Sequence, residues 1–527
     1  MNSRNAIGIG IGVVLVAVVA GVVIYLNYRK TEPVVNSDKG ELIYLSKDFT
    51  PAERQEFYHL AEGSELYPVL WMQALKTSEG KYFLEDAERL GFLPDSDNEY
   101  GLPVGLTAGI TRGLEPLGPM SGLNCAACHV GELHYKGKRV RIDGAPNLLN
   151  TRLFFVTLIE SALDTAKDPA KLMAFSAKVH ELEEKRDKKE PSKIRALARK
   201  VAVGLAEKKE ESLNAALRPL LADLIKDESA TPCFSFEAAL KDNIKDLDQL
   251  NDRITKDLKL DKFADLAKHS NVLKAIADNS EKDGALTDFI RDFYIKVRLL
   301  RARAEFLKKL GMVGDDKETE IWGPGRVDAF GSARKFLFQA TYRPHTPVSY
   351  PPIYELPSHD WFHYDNNTNT FLERNFGQAL GVGAVWDGDA KVYSLQPKNL
   401  RRLETLARKL TAPKWPEEIF GKIDQAKAKR GEKLYVTYCA KCHDPEKNKN
   451  FDRLEELAEI NTDPNRATTF AAKVPPDDTL FPDRIQKTLA EIKQVALSEF
   501  TPEEQEDRKS TRLNSSHVSE SRMPSSA

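Results

Sequence analysis

The spacing of apolar and polar positions divides the chain into distinct stretches. Residues 6–26 carry no charge and consist of Gly, Ala, Val, Ile, Leu and one Tyr. As a helix they would extend about 32 Å, enough for a hydrocarbon core of about 30 Å. A cleaved secretory signal would have a shorter apolar run, about 7–15 residues, before an A-x-A-like site. Here the run passes into Tyr25, Leu26, Asn27, Tyr28, Arg29 and Lys30. The pattern therefore predicts an uncleaved transmembrane anchor over 6–26. Past a polar linker, Thr50 with Pro51 next and Glu53 three positions on predicts a helix start with a capping box. A second helix is expected over 67–75. Residues 91–122 are rich in Gly and Pro and predict loop.

From 165 to 320 glycine becomes rare and Ala, Leu, Lys, Glu and Asp dominate. Apolar residues recur at helical spacing at Leu213, Ala216, Leu217, Leu220, Leu221, Leu224 and Ile225, which predicts a helical insert. From 321 to 422 the chain is irregular and aromatic, with Trp322, Tyr350, Tyr354, Trp361 and Phe362. Residues 423–438 read as one amphipathic helix, opening a unit that runs to 506. The final stretch, 507–527, resembles the translation of a common sequencing adapter and is set apart as non-native. On that reading the natural chain continues past Glu506.

Length and charge narrow the function classes. At 527 residues several domains are expected. The formal net charge is −2, and the 30% of charged residues are interleaved by sign, as on solvated helix faces. There is no basic excess to pair with phosphates, so nucleic acid is not an expected partner.

The chemistry lies in the cysteines. Four of the five fall in two C-x-x-C-H runs, Cys125-Ala126-Ala127-Cys128-His129 and Cys439-Ala440-Lys441-Cys442-His443. Each reads as a covalent c-type haem site. Two thiols at this spacing reach the two vinyl groups on one porphyrin edge, and the adjacent His gives iron its proximal nitrogen. The expected cofactors are two covalently bound haem c groups, with His129 and His443 as iron ligands. Zinc held by paired C-x-x-C knuckles is the rival, and the His at the same place in both copies speaks against it. Such haem is attached outside the cytoplasmic membrane. With the anchor, that predicts a single-pass protein of a bacterial inner membrane, held through residues 6–26, with its body in the periplasm and a periplasmic electron donor or acceptor as partner. Met120, five residues before Cys125, is too close to cross the ring and Met72 reads as core, which leaves His59, His134, His345, His359 and His363 as sixth-ligand candidates. Cys233, the fifth cysteine, is expected to be an inert thiol.

Two C-x-x-C-H sites in one chain resemble the di-haem cytochrome c peroxidase superfamily. The stretches 57–65 (FYHLAEGSE), 101–105 (GLPVG), 141–144 (RIDG), 325–331 (GRVDAFG) and 373–381 (ERNFGQALG) are similar to its rubber-oxygenase branch, the latex-cleaving di-haem dioxygenases. In that branch a Trp lies between the haems, and a Phe fifteen residues later covers the oxygen-binding haem. Trp361 and Phe376 have that spacing. The resemblance implies an oxygen- or peroxide-reactive first haem, a second haem that relays electrons, and catalytic roles for Trp361 and Phe376. It does not carry a substrate, because the insert is too charged for a polyisoprene channel.

The expected fold is mainly α. Two cytochrome c-like haem domains (39–164 and 423–506) are joined by the charged helical insert (165–320) and the inter-haem segment (321–422), behind the transmembrane helix. Two other function classes stay open: an electron-transfer cytochrome without substrate chemistry of its own, and a membrane-anchored docking module whose insert binds a partner.

Overall fold

The computed structural model describes residues 40–95, 97–110, 118–190, 192–226, 270, 285–309, 323–338, 346–358, 362–363, 368, 371–387, 392–443, 457–461, 463–471, 490, 494 and 498. The predicted anchor at 6–26, Cys233, Trp361 and the 507–527 tail lie outside the described residues.

The first unit begins with β1 (Glu41–Tyr44) and α1 (Pro51–His59). The predicted capping box is formed: the Thr50 hydroxyl accepts from Glu53 N at 3.2 Å, and Thr50 N donates to the Glu53 carboxylate at 3.1 Å. Then come β2 (Tyr67–Pro68), α2 (Val69–Ala74), β3 (Leu106–Gly109) and β4 (Met120–Leu123). The one-turn helix α3 (Ala126–His129) leads directly into β5 (Val130–Tyr135) and β6 (Lys138–Asp143). β5 and β6 form a hairpin in register from Val130↔Asp143 to Tyr135↔Lys138. Its two-residue turn, Lys136-Gly137, has φ of 47° and 72°, the left-handed pair that matches strand twist. β1 adds in parallel to β6, and β4 lies between β2 and β3 in a second sheet. The turn α3 is therefore suspended between two three-stranded sheets.

The helical stretch follows: α4 (Thr151–Lys167), α5 (Pro169–Asp187), α6 (Lys193–Ala206), α7 (Glu211–Lys226) and α8 (Ala285–Lys309). These helices share one apolar core with the first unit. It runs from Trp71, Met72 and Ala127 through Phe154 and Leu158 to Phe175, Val297 and Leu300. The Trp71 and Phe175 rings meet edge to face at 5.5 Å, and the Tyr67 hydroxyl donates to Leu300 O at 2.9 Å.

The rest comprises β7 (Arg326–Val327), α9 (Ala329–Phe338), β8 (Val348–Ser349), α10 (Phe371–Gly381), β9 (Trp386–Asp387), β10 (Val392–Tyr393) and α11 (Pro397–Ala407). The short helix α12 (Glu417–Phe420) precedes α13 (Gln425–Tyr438), which ends at the second C-x-x-C-H turn, α14 (Ala440–His443). Two further helices are α15 (Leu457–Ile460) and α16 (Asn465–Ala471).

Two expectations are corrected. Helix predominates, but the described fold is not a set of purely helical units: four small sheets are present among the described residues, two of them framing α3. The Gly- and Pro-rich segment before Cys125 was expected as loop, yet it contains β3 and β4, whose pairing partners are distant in sequence. In addition, no helix among the described residues is long and apolar enough to cross a membrane. That finding corrects the single-pass inner-membrane architecture and location expected from 6–26, a segment that itself lies outside the described residues.

Candidate functional site

The first C-x-x-C-H run folds as one helical turn. His129 N donates to Cys125 O at 3.0 Å and Cys128 N to the same carbonyl at 3.3 Å, so the two cysteines share a face. Two asparagines fix the turn. Asn124, buried ahead of it, donates from Nδ2 to Phe57 O and Leu60 O, both at 3.1 Å, and accepts from Ala126 N at 3.0 Å. Asn147 caps the other end, with Nδ2 on Ala127 O and its amide on Cys128 O, both at 2.9 Å. Gly144 N reaches His129 O at 2.9 Å. Gly105 lets the chain pass close by. Its φ is +86°, and a Cβ there would lie 2.2 Å from Ala127 N and Cα.

His129 is buried, and its Nδ1 lies 3.0 Å from Pro351 O. A carbonyl only accepts, so Nδ1 carries the proton and Nε2 keeps its lone pair. Burial, assisted by the nearby Arg374 charge, pulls the imidazole down to about 3, so it is neutral. A neutral, oriented imidazole with its second nitrogen fixed on a carbonyl is the form that ligates a metal. Burial pushes the Cys128 thiol up to about 12, and burial together with Glu62 pushes Cys125 up further. Such surroundings favour neutral sulfur, as a thioether requires, over the thiolate that zinc binds. No group of three or more His, Cys, Asp or Glu side chains converges on one point among the described residues. Haem c needs none, because its two cysteines bind carbon and one His binds iron. The residues of the first turn thus fit haem.

A polar chain lies against Cys125. Glu62 is fully buried and accepts from Gln378 Nε2 at 2.7 Å, and the Cys125 sulfur lies 3.6 Å from its other oxygen. Arg374 Nη1 in turn donates to Gln378 Oε1 at 2.9 Å. Burial raises the Glu62 carboxyl to about 8 against the pull of Arg374, so it is largely protonated at neutral pH. Arg374 and Gln378 are one turn apart on α10 and face Cys125. Phe376, between them, lies on the far side of that helix, packed with Ala333, Ala379, Leu380 and Leu395.

The second run repeats the backbone of the first: His443 N donates to Cys439 O at 2.9 Å. Its setting differs. Cys439 and His443 are exposed, and α13 leads into the turn with Leu434, Tyr435, Val436 and Tyr438 facing outward. The Cys442 side chain is outside the described ones. Met72 and Met120 are buried in the apolar core. Among the sixth-ligand candidates, His59 is tied by Nδ1 to Leu106 O and by Nε2 to Asp95, both at 2.9 Å. His134 sits on Glu132 at 2.9 Å, and the ring of His363 lies 4.1 Å from that of Phe330. Sequence reasoning passed over Asn124, Asn147, Pro351 and Gln378. Asn124, by its place next to Cys125, and Gln378, within the 373–381 stretch, offered a signal.

No family model matches the chain, and no solved structure matches it. It is similar to a protein of Sinorhizobium fredii (strain NBRC 101917 / NGR234) described as "Uncharacterized protein y4iJ". The two are 22% identical over 442 residues, which cover 77% of this chain and 58% of that protein. The chain therefore spans less than two thirds of the length of the relative it matches.

Proposed function

We propose that this chain is a di-haem c-type redox enzyme acting on peroxide or dioxygen, similar to the di-haem cytochrome c peroxidase superfamily and its rubber-oxygenase branch. One haem would be held by Cys125, Cys128 and His129, the other by Cys439, Cys442 and His443. The observation that carries this reading is the placement of His129: buried, Nδ1 directed at Pro351 O, Nε2 left with its lone pair, on the same turn as both thiols. The matching backbone of the second turn supports it.

Bound haem supplies one-electron exchange and, where its sixth position is open, chemistry on O2 or peroxide. The chain's own residues do the rest. Pro351 O orients the imidazole and fixes its tautomer. The two sheets and two asparagines hold both sulfurs at one edge. Glu62, neutral and fully buried, holds a proton beside Cys125, and Gln378 links it to Arg374. An external electron donor completes the cycle.

The test is pyridine haemochrome analysis of protein matured in a c-type assembly host, with carbon monoxide titration of the reduced form. Two thioether-linked haems per chain, one of them binding carbon monoxide, are expected. Fewer than two haems, or no carbon monoxide complex, overturns the reading.

A further inference from the structure

Among the described residues, two contacts tie the stretch around the second C-x-x-C-H turn to the body. Helices α12, α13 and α15 bury no residue. One attachment is aromatic: the Phe420 ring lies 5.2 Å from that of Tyr135, at the end of β5, the strand that starts beside His129. The other is ionic. Arg466 on α16 is 6% exposed, and its Nη1 is paired with Oδ1 of Asp328, which is 2% exposed. Asp328 is a built acceptor. It caps α9 by taking Gly331 N at 2.9 Å, and it also accepts from the Thr346 hydroxyl.

What Asp328 caps is joined closely to the first site. A Cβ at Gly377 would fall 2.5 Å from the Phe330 ring, and one at Gly381 would fall 1.8 Å from Ala329 O. Gly381 lets α10 meet the backbone of α9, and Gly377 leaves room for the Phe330 ring. α10 in turn carries Gln378, which reaches Glu62 and Cys125, and Arg374, which donates to Gln378.

We propose that the Asp328–Arg466 pair is the seat that docks the second haem-attachment unit onto the α9–α10 helix pair beside the first. It is a positioning pair, and its role would be to set the separation between the two haem-attachment turns, across which bound haems would exchange an electron. A buried ion pair is poor general adhesive, because both charges give up water. It is a strict registration device, because either charge left alone in that site is strongly disfavoured. The proposal rests on the di-haem reading for its electron-transfer consequence. The docking itself does not depend on haem.

The experiment uses the full chain and Arg466→Met, with Arg466→Lys as the conservative variant. Three quantities are measured: haem per chain, hydrogen exchange of amides in 465–471 and 329–338, and the rate of electron redistribution between centres after flash photolysis of the half-reduced (mixed-valence) carbon monoxide complex. Arg466→Met should keep wild-type haem content, lose protection in 465–471 at least tenfold, and slow redistribution at least tenfold. Arg466→Lys should recover part of both losses. If Arg466→Met leaves exchange and redistribution within twofold of wild type, the seat is refuted. Absence of haem from the wild type would sink the functional reading alone, and the exchange comparison would still decide the docking. Should Arg466→Met fail to fold, Arg466→Lys decides: unchanged exchange and redistribution refute the seat, and a partial loss of both supports it.

Discussion

Replacing Asp143 by Ala should unfold the first site more than any single apolar truncation on the hairpin that carries it. The Asp143 side chain has no exposure; its Oδ2 takes Arg54 Nε at 2.9 Å and its Oδ1 takes the Tyr58 hydroxyl at 2.6 Å. Removing it strands a guanidinium whose remaining partners are Ser46 O at 3.1 Å and the Tyr44 ring at 4.1 Å. Breaking one side of a buried pair costs about 3–5 kcal/mol, and an orphaned hydroxyl about 1–3. The two overlap, so a total near 4–5 kcal/mol is expected. At about 2–4 °C per kcal/mol for a domain of this size, thermal unfolding should fall by roughly 10 °C or more. Asp143 lies opposite Val130, next to His129, so haem attachment at the first turn should fall with it. The control is the triple variant Arg54→Met, Tyr58→Phe, Asp143→Leu, which replaces the network by apolar groups of similar volume. It should recover most of the loss, since a buried polar network contributes little net stability over such a replacement. A shift under about 3 °C for Asp143→Ala, or a triple variant no better than the single one, would refute the reasoning.

Gly105→Ala should disable the first turn, because φ is +86° and the new methyl would meet Ala127 backbone at 2.2 Å. Its haem content at Cys125 and Cys128, read by peptide mass spectrometry, should drop several-fold while Cys439 stays modified. His180 should give the α5–α8 contact a pH dependence. Burial alone would lower its pKa, but hydrogen bonds to Asp292 (3.1 Å) and Glu183 (3.0 Å) outweigh that and raise it. The stabilisation is then complete below the unfolded value of about 6.5 and fades as pH rises through the raised folded value. His180→Gln should remove that slope from unfolding curves taken between pH 5 and 9; an unchanged slope would assign it to other groups.

What was legible in the sequence is what local chemistry determines. Thr50, Pro51 and Glu53 specify a cap that needs no distant partner, and it forms as expected. The C-x-x-C-H turns are equally local, and the helix expected over 423–438 runs over Gln425–Tyr438. The 67–75 helix was half right: Tyr67 and Pro68 pair with β4, and the helix starts at Val69. Strands β3 and β4 were hidden because they are four residues long, contain Gly109 and Gly122, and owe their state to each other. Glu62 was hidden for the opposite reason. It lies in a polar-looking run, and only the fold brings Gln378 and Cys125 to it from distances of 316 and 63 residues. The spacing of Trp361 and Phe376 gave no account of which face of α10 would meet the first turn. Arg374 and Gln378 hold that face.

The core shared by the insert and the first unit bears on the docking reading, in which the charged helical insert binds a partner. An insert that served only to bind a partner could be cut away without harm to the rest. Here α2 packs on α5 through Trp71 against Phe175, and β2 on α8 through the Tyr67 hydroxyl on Leu300 O. A buried Arg303 on α8 also pairs with Glu65 at 3.4 Å, in the stretch that wraps the first turn. Deleting the helices beyond α4 would return large side chains such as Tyr67 and Trp71 to water. At about 1.5–3 kcal/mol each, re-exposing four of them costs roughly 6–12 kcal/mol, as much as the whole stability of an ordinary domain. Replacing 170–308 by a short flexible linker should therefore abolish haem attachment at Cys125 and Cys128 while the second turn is still matured. A deletion variant that keeps both haems and a cooperative unfolding transition would show that the helices are dispensable to the site. The shared core would then contribute far less than its buried area implies.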